Sequence, residues 1–265
     1  MIMQRLAFLC LSILALATSP VRAADDPPTL WLIGDSTVQN GTKGLEGWGT
    51  ELPNFFDHAR LKIVNRARGG RSSRTFLTEG LWEATLKEIK SGDFVLMQFG
   101  HNDGGSVTKE LAPGKPSRAS LKGSGDETQE VDDPSTPGKK ETVHTYGWYL
   151  KRFCTDAKAK GATPVVLSMV PRNDWKDGKV LRAADGYGRW ASEAAKATGA
   201  TFIDLNGLIA DRYDALGEDK VKPLFPQEHT HTSLEGATFN ARGVVQGIRE
   251  AKELALNQYL APEMR

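Results

Sequence analysis

Short, almost continuously apolar runs alternate along the chain with longer segments whose apolar residues recur every three or four positions. The runs are Leu30–Ile33, Leu61–Val64, Phe94–Phe99, Pro164–Val170 and Thr201–Ile203. Each stops at a turn-forming or polar residue: Gly34, Asn65, Gly100, Pro171 and Asp204. Apolarity without alternation is what a strand covered on both faces requires. The segments between them predict helices around Glu51–His58, Leu81–Lys90, Tyr146–Lys160, Leu181–Thr198 and Leu205–Leu216. A last helix runs from Leu234 to about Leu260, with an interruption expected near Gly243 or Gly247. In Tyr146–Lys160 the residues Tyr149, Phe153 and Ala157 form one apolar stripe. Gly161 follows it where a left-handed cap belongs.

Strand–helix alternation predicts the α/β class: a three-layer α/β/α sandwich around a mostly parallel five-stranded sheet, with right-handed crossovers. Sheets of this kind bind ligands at the carboxyl ends of their strands, so the residues just after each run carry the interest. Residues 104–145 break the pattern. They are rich in Gly, Pro, Lys and acids, have no apolar period, and are too long for an ordinary connection. Two readings stand for them: a substrate-facing loop, or a solvated insertion. They are not a domain boundary, because the alternation resumes directly after them.

The first 23 residues read differently from the rest. Arg5 precedes the apolar stretch Leu6–Ala17, and Val21 and Ala23 are small residues at −3 and −1 of a cleavage point. This is the pattern of a secretory signal peptide, and the stretch is too short to span a bilayer comfortably. Residues 24–265 are then expected to form a single domain, secreted or periplasmic, with no membrane attachment once the leader is gone. Cys154 remains as that domain's cysteine, which rules out an internal disulfide or a CxxC metal site. It falls within the Tyr146–Lys160 helix, as a buried residue does, with no basic cluster to activate it. The whole chain carries 34 basic and 33 acidic side chains, a net charge of +1, so no basic footprint for nucleic acid is present.

The strand ends carry groups suited to acyl transfer. Gly34-Asp35-Ser36-Thr37 follows the first run. A serine at a strand-to-helix turn exposes its hydroxyl, although serine is also a common helix cap. Asn65-Arg66-Ala67-Arg68-Gly69-Gly70-Arg71 follows the second, and its paired glycines let backbone approach a ligand closely. Gly100-His101-Asn102-Asp103 follows the third. Asn102 can donate to an oxyanion, while His101 and Asp103 also suit a metal. Near the end comes Glu228-His229-Thr230-His231. Serine needs a base, histidine is the natural one, and a carboxylate orients its second nitrogen. His229 and His231 can equally be read as a metal pair.

Taken together, these motifs resemble the SGNH (GDSL-type) hydrolases, a group with a flavodoxin-like fold. Ser36, a glycine of the second block, Asn102 and His231 match the four residues that name the group. GDSTVQN, GWGTELPNFF, NRARGGRSSRTF, FGHND, TYGWYL and HTHTS narrow the resemblance to the rhamnogalacturonan acetylesterases, over all of residues 24–265 except the 104–145 loop. The resemblance implies Ser36 as nucleophile and an oxyanion hole of the Ser36 N–H, the Gly70 N–H and the Asn102 side chain, with Gly69 as the alternative glycine. It implies His231 as base oriented by Glu228, where the family has an aspartate one methylene shorter. No metal or organic cofactor is implied.

The implied substrate is an acetylated pectic polysaccharide. Arg71 and Arg74 are candidates to pair with a uronate carboxylate, against the alternative of solvation or a structural ion pair. Trp48, and with it Trp175 and Trp190, are candidate platforms for sugar rings, against the alternative of core packing. Two other functions compete: a lipid or aryl esterase of the same group, and a non-catalytic glycan-binding protein on a retired hydrolase scaffold.

Overall fold

The structure, a computed structural model, describes residues 26–264. The leader expected at residues 1–23 lies outside the described residues. The strands are β1 (Thr29–Gly34), β2 (Lys62–Asn65), β3 (Phe94–Gln98), β4 (Thr128–Asp132), β5 (Lys140–His144), β6 (Thr163–Leu167), β7 (Trp175–Lys176), β8 (Lys179–Val180) and β9 (Thr201–Ile203). Five of them form one sheet in the order β2-β1-β3-β6-β9, with every pairing parallel. The five runs predicted from apolarity are these five strands, with ends that differ by at most three residues.

The helices are α1 (Trp48–Glu51), α2 (Ser73–Thr78), α3 (Leu81–Glu88), α4 (Tyr146–Ala159), α5 (Arg189–Thr198), α6 (Leu205–Leu216), α7 (Glu218–Val221) and α8 (Leu234–Glu250). Successive strand residues face opposite sides of the sheet. Leu30, Leu32, Leu96, Val165 and Leu167 therefore join one core with Trp48 of α1, Ile209 and Tyr213 of α6, and Val244 and Ile248 of α8. Trp31, Ile33, Val95, Met97 and Val166 join the other, with Phe76 of α2, Trp82 of α3, Phe153 of α4 and Ala194 of α5. This is the expected three-layer α/β/α arrangement. Among the described residues no helix is long and apolar enough to cross a membrane.

Several boundaries differ from expectation, each for a local reason. The first helix starts three residues earlier, at Trp48, and passes at Leu52 into a 3-10 turn that ends at Phe55, with Pro53 early in that turn. The segment from Leu181 becomes α-helical only at Arg189. Ahead of it lies a wide turn in which Gly186 takes φ −135° and ψ −113°. The last helix runs unbroken through Gly243 and Gly247 and ends at Glu250. Those glycines permit close packing instead of a break: a Cβ on Gly247 would sit 2.3 Å from Ile203 Cγ2, and one on Gly243 2.7 Å from Ile209 Cγ1. α2 escaped the periodicity because it is six residues long. Its start is set by a reciprocal cap, in which Ser72 accepts from the Thr75 N–H and Thr75 from the Ser72 N–H.

Residues 104–145 are not featureless. β4 and β5 form an antiparallel hairpin. Val107, Ala119, Val131 and Val143 close a small core of their own, with Leu121 against it. These apolar residues are too widely spaced to show a period.

Gly47 precedes α1 and lies against the loop after β1. A Cβ there would fall 2.3–2.5 Å from the Val38 carbonyl group and the Gln39 nitrogen, all backbone. Gly47→Ala is expected to destabilise the protein by about 2 kcal/mol through overpacking, measured by urea denaturation. An unchanged midpoint would show that the loop can move aside.

Candidate active site

The first contributor is the turn after β1. Ser36 is half-buried there, and the buried Asp35 shapes the turn: its Oδ1 accepts from the Thr37 N–H (2.8 Å) and the Thr37 hydroxyl (2.7 Å). A polar chain continues inward. The Gln98 amide donates to Thr37 Oγ1 (2.6 Å), and the Trp48 indole N–H donates to Gln98 Oε1 (2.9 Å). Every member is buried, so each bond is made in surroundings where leaving it unmade costs about 1–3 kcal/mol. The turn that presents Ser36 is thus fixed from below.

The second contributor is the loop before α8. His231 Nε2 lies 2.7 Å from Ser36 Oγ. His231 Nδ1 lies 2.6 Å from Glu228 Oε1, which also accepts from the His231 backbone N–H at 2.7 Å. Glu228 Oε2 accepts from the Thr230 N–H at 2.8 Å. An ionised carboxylate only accepts, so Nδ1 carries the proton and Nε2 is left to accept from serine. Burial works against the charge on Glu228. The N–H groups of His231 and Thr230, with the ring beside them, outweigh it and hold the carboxyl below its usual range. The extra methylene relative to aspartate is absorbed by the side chain curling back onto its own loop.

This loop is no part of the sheet and is held from both sides. On the Ser36 side, the Glu46 N–H donates to the Thr232 carbonyl and the Thr232 hydroxyl donates back to the Glu46 carbonyl. Gln227 donates to the Lys43 carbonyl. On the other side, the Asn173 N–H donates to the His229 carbonyl, and His229 Nδ1 lies 2.6 Å from Asp174 Oδ1. His229 is therefore a tether of the loop, and its ring is engaged away from His231.

The third contributor is a set of donors after β2 and β3. Gly70 has φ +77°, which favours glycine. Gly69 lies against Ser36, its ideal Cβ position 3.6 Å from Ser36 Cβ with ordinary space around it. Asn102 donates one amide hydrogen to the Arg71 carbonyl at 3.0 Å, which sets the rotation of its side chain beside Gly70. Asp103 turns the other way. It is fully buried and accepts from the Ser73 N–H and hydroxyl, tying the end of β3 to the start of α2. Burial raises its pKa to about 7 despite the Ser73 bonds, with the nearby Asp35 charge adding to the rise. His101 is also enclosed. Burial lowers its pKa, Asp35 opposes that, and the fields of Arg172 and His231 reinforce it.

Ser36, His231 and Glu228 thus meet in one hydrogen-bonded series, Asn102 is bonded to the residue after Gly70, and the glycine that lies against Ser36 is Gly69, whereas two predicted sugar contacts are corrected. Arg74 is buried, with 2% of its side chain exposed, and forks onto both Glu141 oxygens at 2.7 Å while donating to the Ala119 carbonyl. It fastens the β4–β5 hairpin to α2 and cannot reach a substrate. Trp48 is fully buried and belongs to the support of the Ser36 turn. Arg71 remains partly exposed but is paired with Glu79 at 2.8 Å. Trp175 and Trp190 are partly buried and pack against the two cores. Asp103 is bonded to Ser73 while neither ring nitrogen of His101 has a hydrogen-bond partner among the described residues, His229 and His231 engage different partners, and among the described residues no three His, Cys, Asp or Glu side chains gather as a metal would need. Cys154 is buried, its thiol pushed up to about 11 by burial. Sequence reasoning missed Gln98, Thr37 and Asp174; polar residues at strand ends were the available signal.

A hydroxyl, an imidazole and a carboxylate in one hydrogen-bonded series can carry out serine-based acyl transfer. Known proteins resemble the chain in both sequence and fold. The profile of the GDSL-like lipase/acylhydrolase family matches residues 32–238. A rhamnogalacturonan acetylesterase of Emericella nidulans is 33% identical over 88% of this chain and 89% of its own. A probable rhamnogalacturonan acetylesterase of Bacillus subtilis is 31% identical over 83% and 92%. The solved structure of YxiM from Bacillus subtilis superposes with a TM-score of 0.66 at 23% identity; the match covers 86% of this chain and 58% of that one. An acetylxylan esterase of Geobacillus stearothermophilus superposes at 0.52 and 18% identity, over 83% and 94%. The chain belongs to the GDSL-like lipase/acylhydrolase family. Within it, the chain is an acetylesterase, a carboxylic-ester hydrolase.

Two predictions follow from the supporting residues. Arg74→Met leaves Glu141 without its partner and should cost about 3 kcal/mol, the low end for a broken buried pair because Glu141 is 23% exposed. The fall in chemical stability measures this, and a stable variant with lost activity would restore Arg74 to the substrate. Asp103 carries a raised pKa, so its contribution to stability is complete below about 3.8 and is lost as pH rises through about 7. The melting temperature of Asp103→Asn should therefore gain on the native protein between pH 5 and pH 8; a constant difference would refute the assignment.

Proposed function

We propose that the protein is exported and removes acetyl groups from rhamnogalacturonan by a two-step serine mechanism. The Ser36–His231–Glu228 hydrogen-bond series is the observation that carries this reading. His231 takes the Ser36 proton as Oγ attacks the acetyl carbonyl. The developing oxyanion is met by the N–H groups of Ser36 and Gly70 and by Asn102. The sugar hydroxyl leaves with the proton from His231, and a water, deprotonated by the same ring, clears the acetyl-serine. Glu228 keeps the ring in the required tautomer throughout.

The choice of polysaccharide is supported by the two relatives named rhamnogalacturonan acetylesterase, each similar over more than four-fifths of this chain. Export is supported by the leader-like residues 1–23. The lipid-esterase alternative is weakened by the clefts beside the site, whose walls include His101, Lys109, Arg118 and Arg172. The glycan-binding alternative is weakened by the close contact of Ser36 with His231, which a retired site has no reason to keep.

Acetate release from acetylated rhamnogalacturonan, acetylated xylan and p-nitrophenyl acetate tests the reading, with the pectic polymer expected to be preferred. Ser36→Ala should lower kcat at least about a thousandfold, and Asn102→Ala about 10²–10³-fold. Retained turnover in Ser36→Ala would remove the nucleophile, and a preference for xylan would move the substrate.

A further inference from the structure

Two clefts flank the site and share His101 and Gly104 as a common wall. One, of about 260 Å³, is lined by Met169, Arg172, Leu181 and Tyr187. The other, of about 310 Å³, is lined by Asn102, Lys109, Ser117 and Arg118 from the start of the insertion. The catalytic loop touches the first through Asp174, which holds His229, and the Gly70 carbonyl touches the second through Arg118 Nη1, at 3.2 Å.

The arginines of this region divide into two kinds. Arg71, Arg74 and Arg182 are committed to carboxylates of the protein: Glu79, Glu141, and the pair Asp211 and Asp214. Arg172 and Arg118 have no ion-pair partner among the described residues. Arg172 Nε is buried and without a hydrogen-bond partner there. The acids that line the same clefts are already occupied, Asp174 by His229 and Glu110 by the Gly114 N–H. Each cleft therefore offers a guanidinium that is not ion-paired to the cleft's own carboxylate, on opposite sides of His101.

We propose that these clefts form one groove that binds the carboxylates of an acidic glycan backbone, Arg172 on one flank and Arg118 on the other. This deepens the reading above and rests on it only for placing the ester at Ser36. A guanidinium fork matches a sugar carboxylate in two parallel bonds, which a neutral xylan backbone does not offer. Met169, Val170 and the half-exposed Leu181 supply an apolar wall for the C–H face of a ring in the first cleft. The same groove takes over the role that sequence reasoning gave to Arg71 and Arg74.

Direct calorimetric binding of de-acetylated rhamnogalacturonan oligosaccharide to the native protein tests the groove without relying on catalysis. Native protein should bind it at least tenfold more tightly than a xylo-oligosaccharide of equal length, and binding should weaken with added salt. Arg172→Gln and Arg118→Gln should each raise Kd about tenfold for the acidic ligand, and Arg172→Lys should recover part of the loss. The xylo-oligosaccharide Kd should move less than twofold in each variant. No binding by the native protein, an equal loss for both ligands, or unchanged Kd in the Gln variants overturns the proposal. If the native protein binds as expected but does not release acetate from the acetylated polymer, the substrate assignment falls and the groove stands. If it releases acetate and the Gln variants bind normally, the groove falls and the substrate assignment stands.

Discussion

The contact between Ser36 and His231 joins residues 195 positions apart, and the surrounding structure exists to keep it short. The serine side is settled by the sheet: a parallel strand ends in a turn whose own carboxylate, Asp35, binds the turn's N–H and hydroxyl. The histidine side has no such frame. Its loop gains one from Glu46 on one flank and from Asn173 and Asp174 on the other, and Glu228 binds two of its backbone N–H groups. Holding an imidazole within hydrogen-bond reach of a hydroxyl before substrate arrives removes reorganisation from the chemical step. Loss of either flank would leave the triad residues present but badly aimed.

The parts of this architecture legible in the sequence were those with a strong local signal. The central strands β1, β3 and β6 read as nearly continuous apolar runs because they are buried on both faces, while the edge strands β2 and β9 are shorter and only partly buried. Helices α4 and α6 read well because they are long enough for periodicity to emerge. Ser36, Gly70 and Asn102 were legible because each sits beside turn residues just after a parallel strand, whereas Glu228 and His231, on a loop that follows no sheet strand, were legible through their spacing of three and the resemblance of their motif to the family. What stayed hidden was tertiary. Nothing local distinguishes Arg71 from Arg74 as ligands for a uronate. Only Glu141, 67 positions on from Arg74, decides that it is buried. Trp48 looked like a sugar platform because a tryptophan's partner, here Gln98 on β3, is invisible in one dimension. The glycines of α8 looked like breaks, and their purpose appears only when Ile203 and Ile209 lie against them.

Polar residues beneath the site form a second theme. Trp48, Gln98, Thr37 and Asp35 make a buried series in which each donor meets an acceptor, ending at Asp35 Oδ1, while Asp35 Oδ2 has no partner among the described residues. Asp103 and Ser73 link the second and third blocks in the same way. Such networks favour one arrangement, since any rearrangement leaves a buried group unpaired. Their cost is visible in Asp103, whose charge becomes unwelcome near neutrality. The site thus trades some stability for a fixed geometry.

The hairpin made by β4 and β5 packs on a small four-residue core and meets the body of the protein through the Arg74 fork on Glu141, the His144 N–H donated to the Tyr149 hydroxyl, and the stacking of His144 on Trp148. The limb that precedes it in the chain, with Lys109 and Arg118, lines the second cleft, and none of its described side chains belongs to either main core. Sequence drift in that limb can therefore alter which polymers are accepted while the acyl-transfer chemistry is inherited intact. Diversification in such a scaffold is expected to concentrate in this attachment long before it reaches the strands.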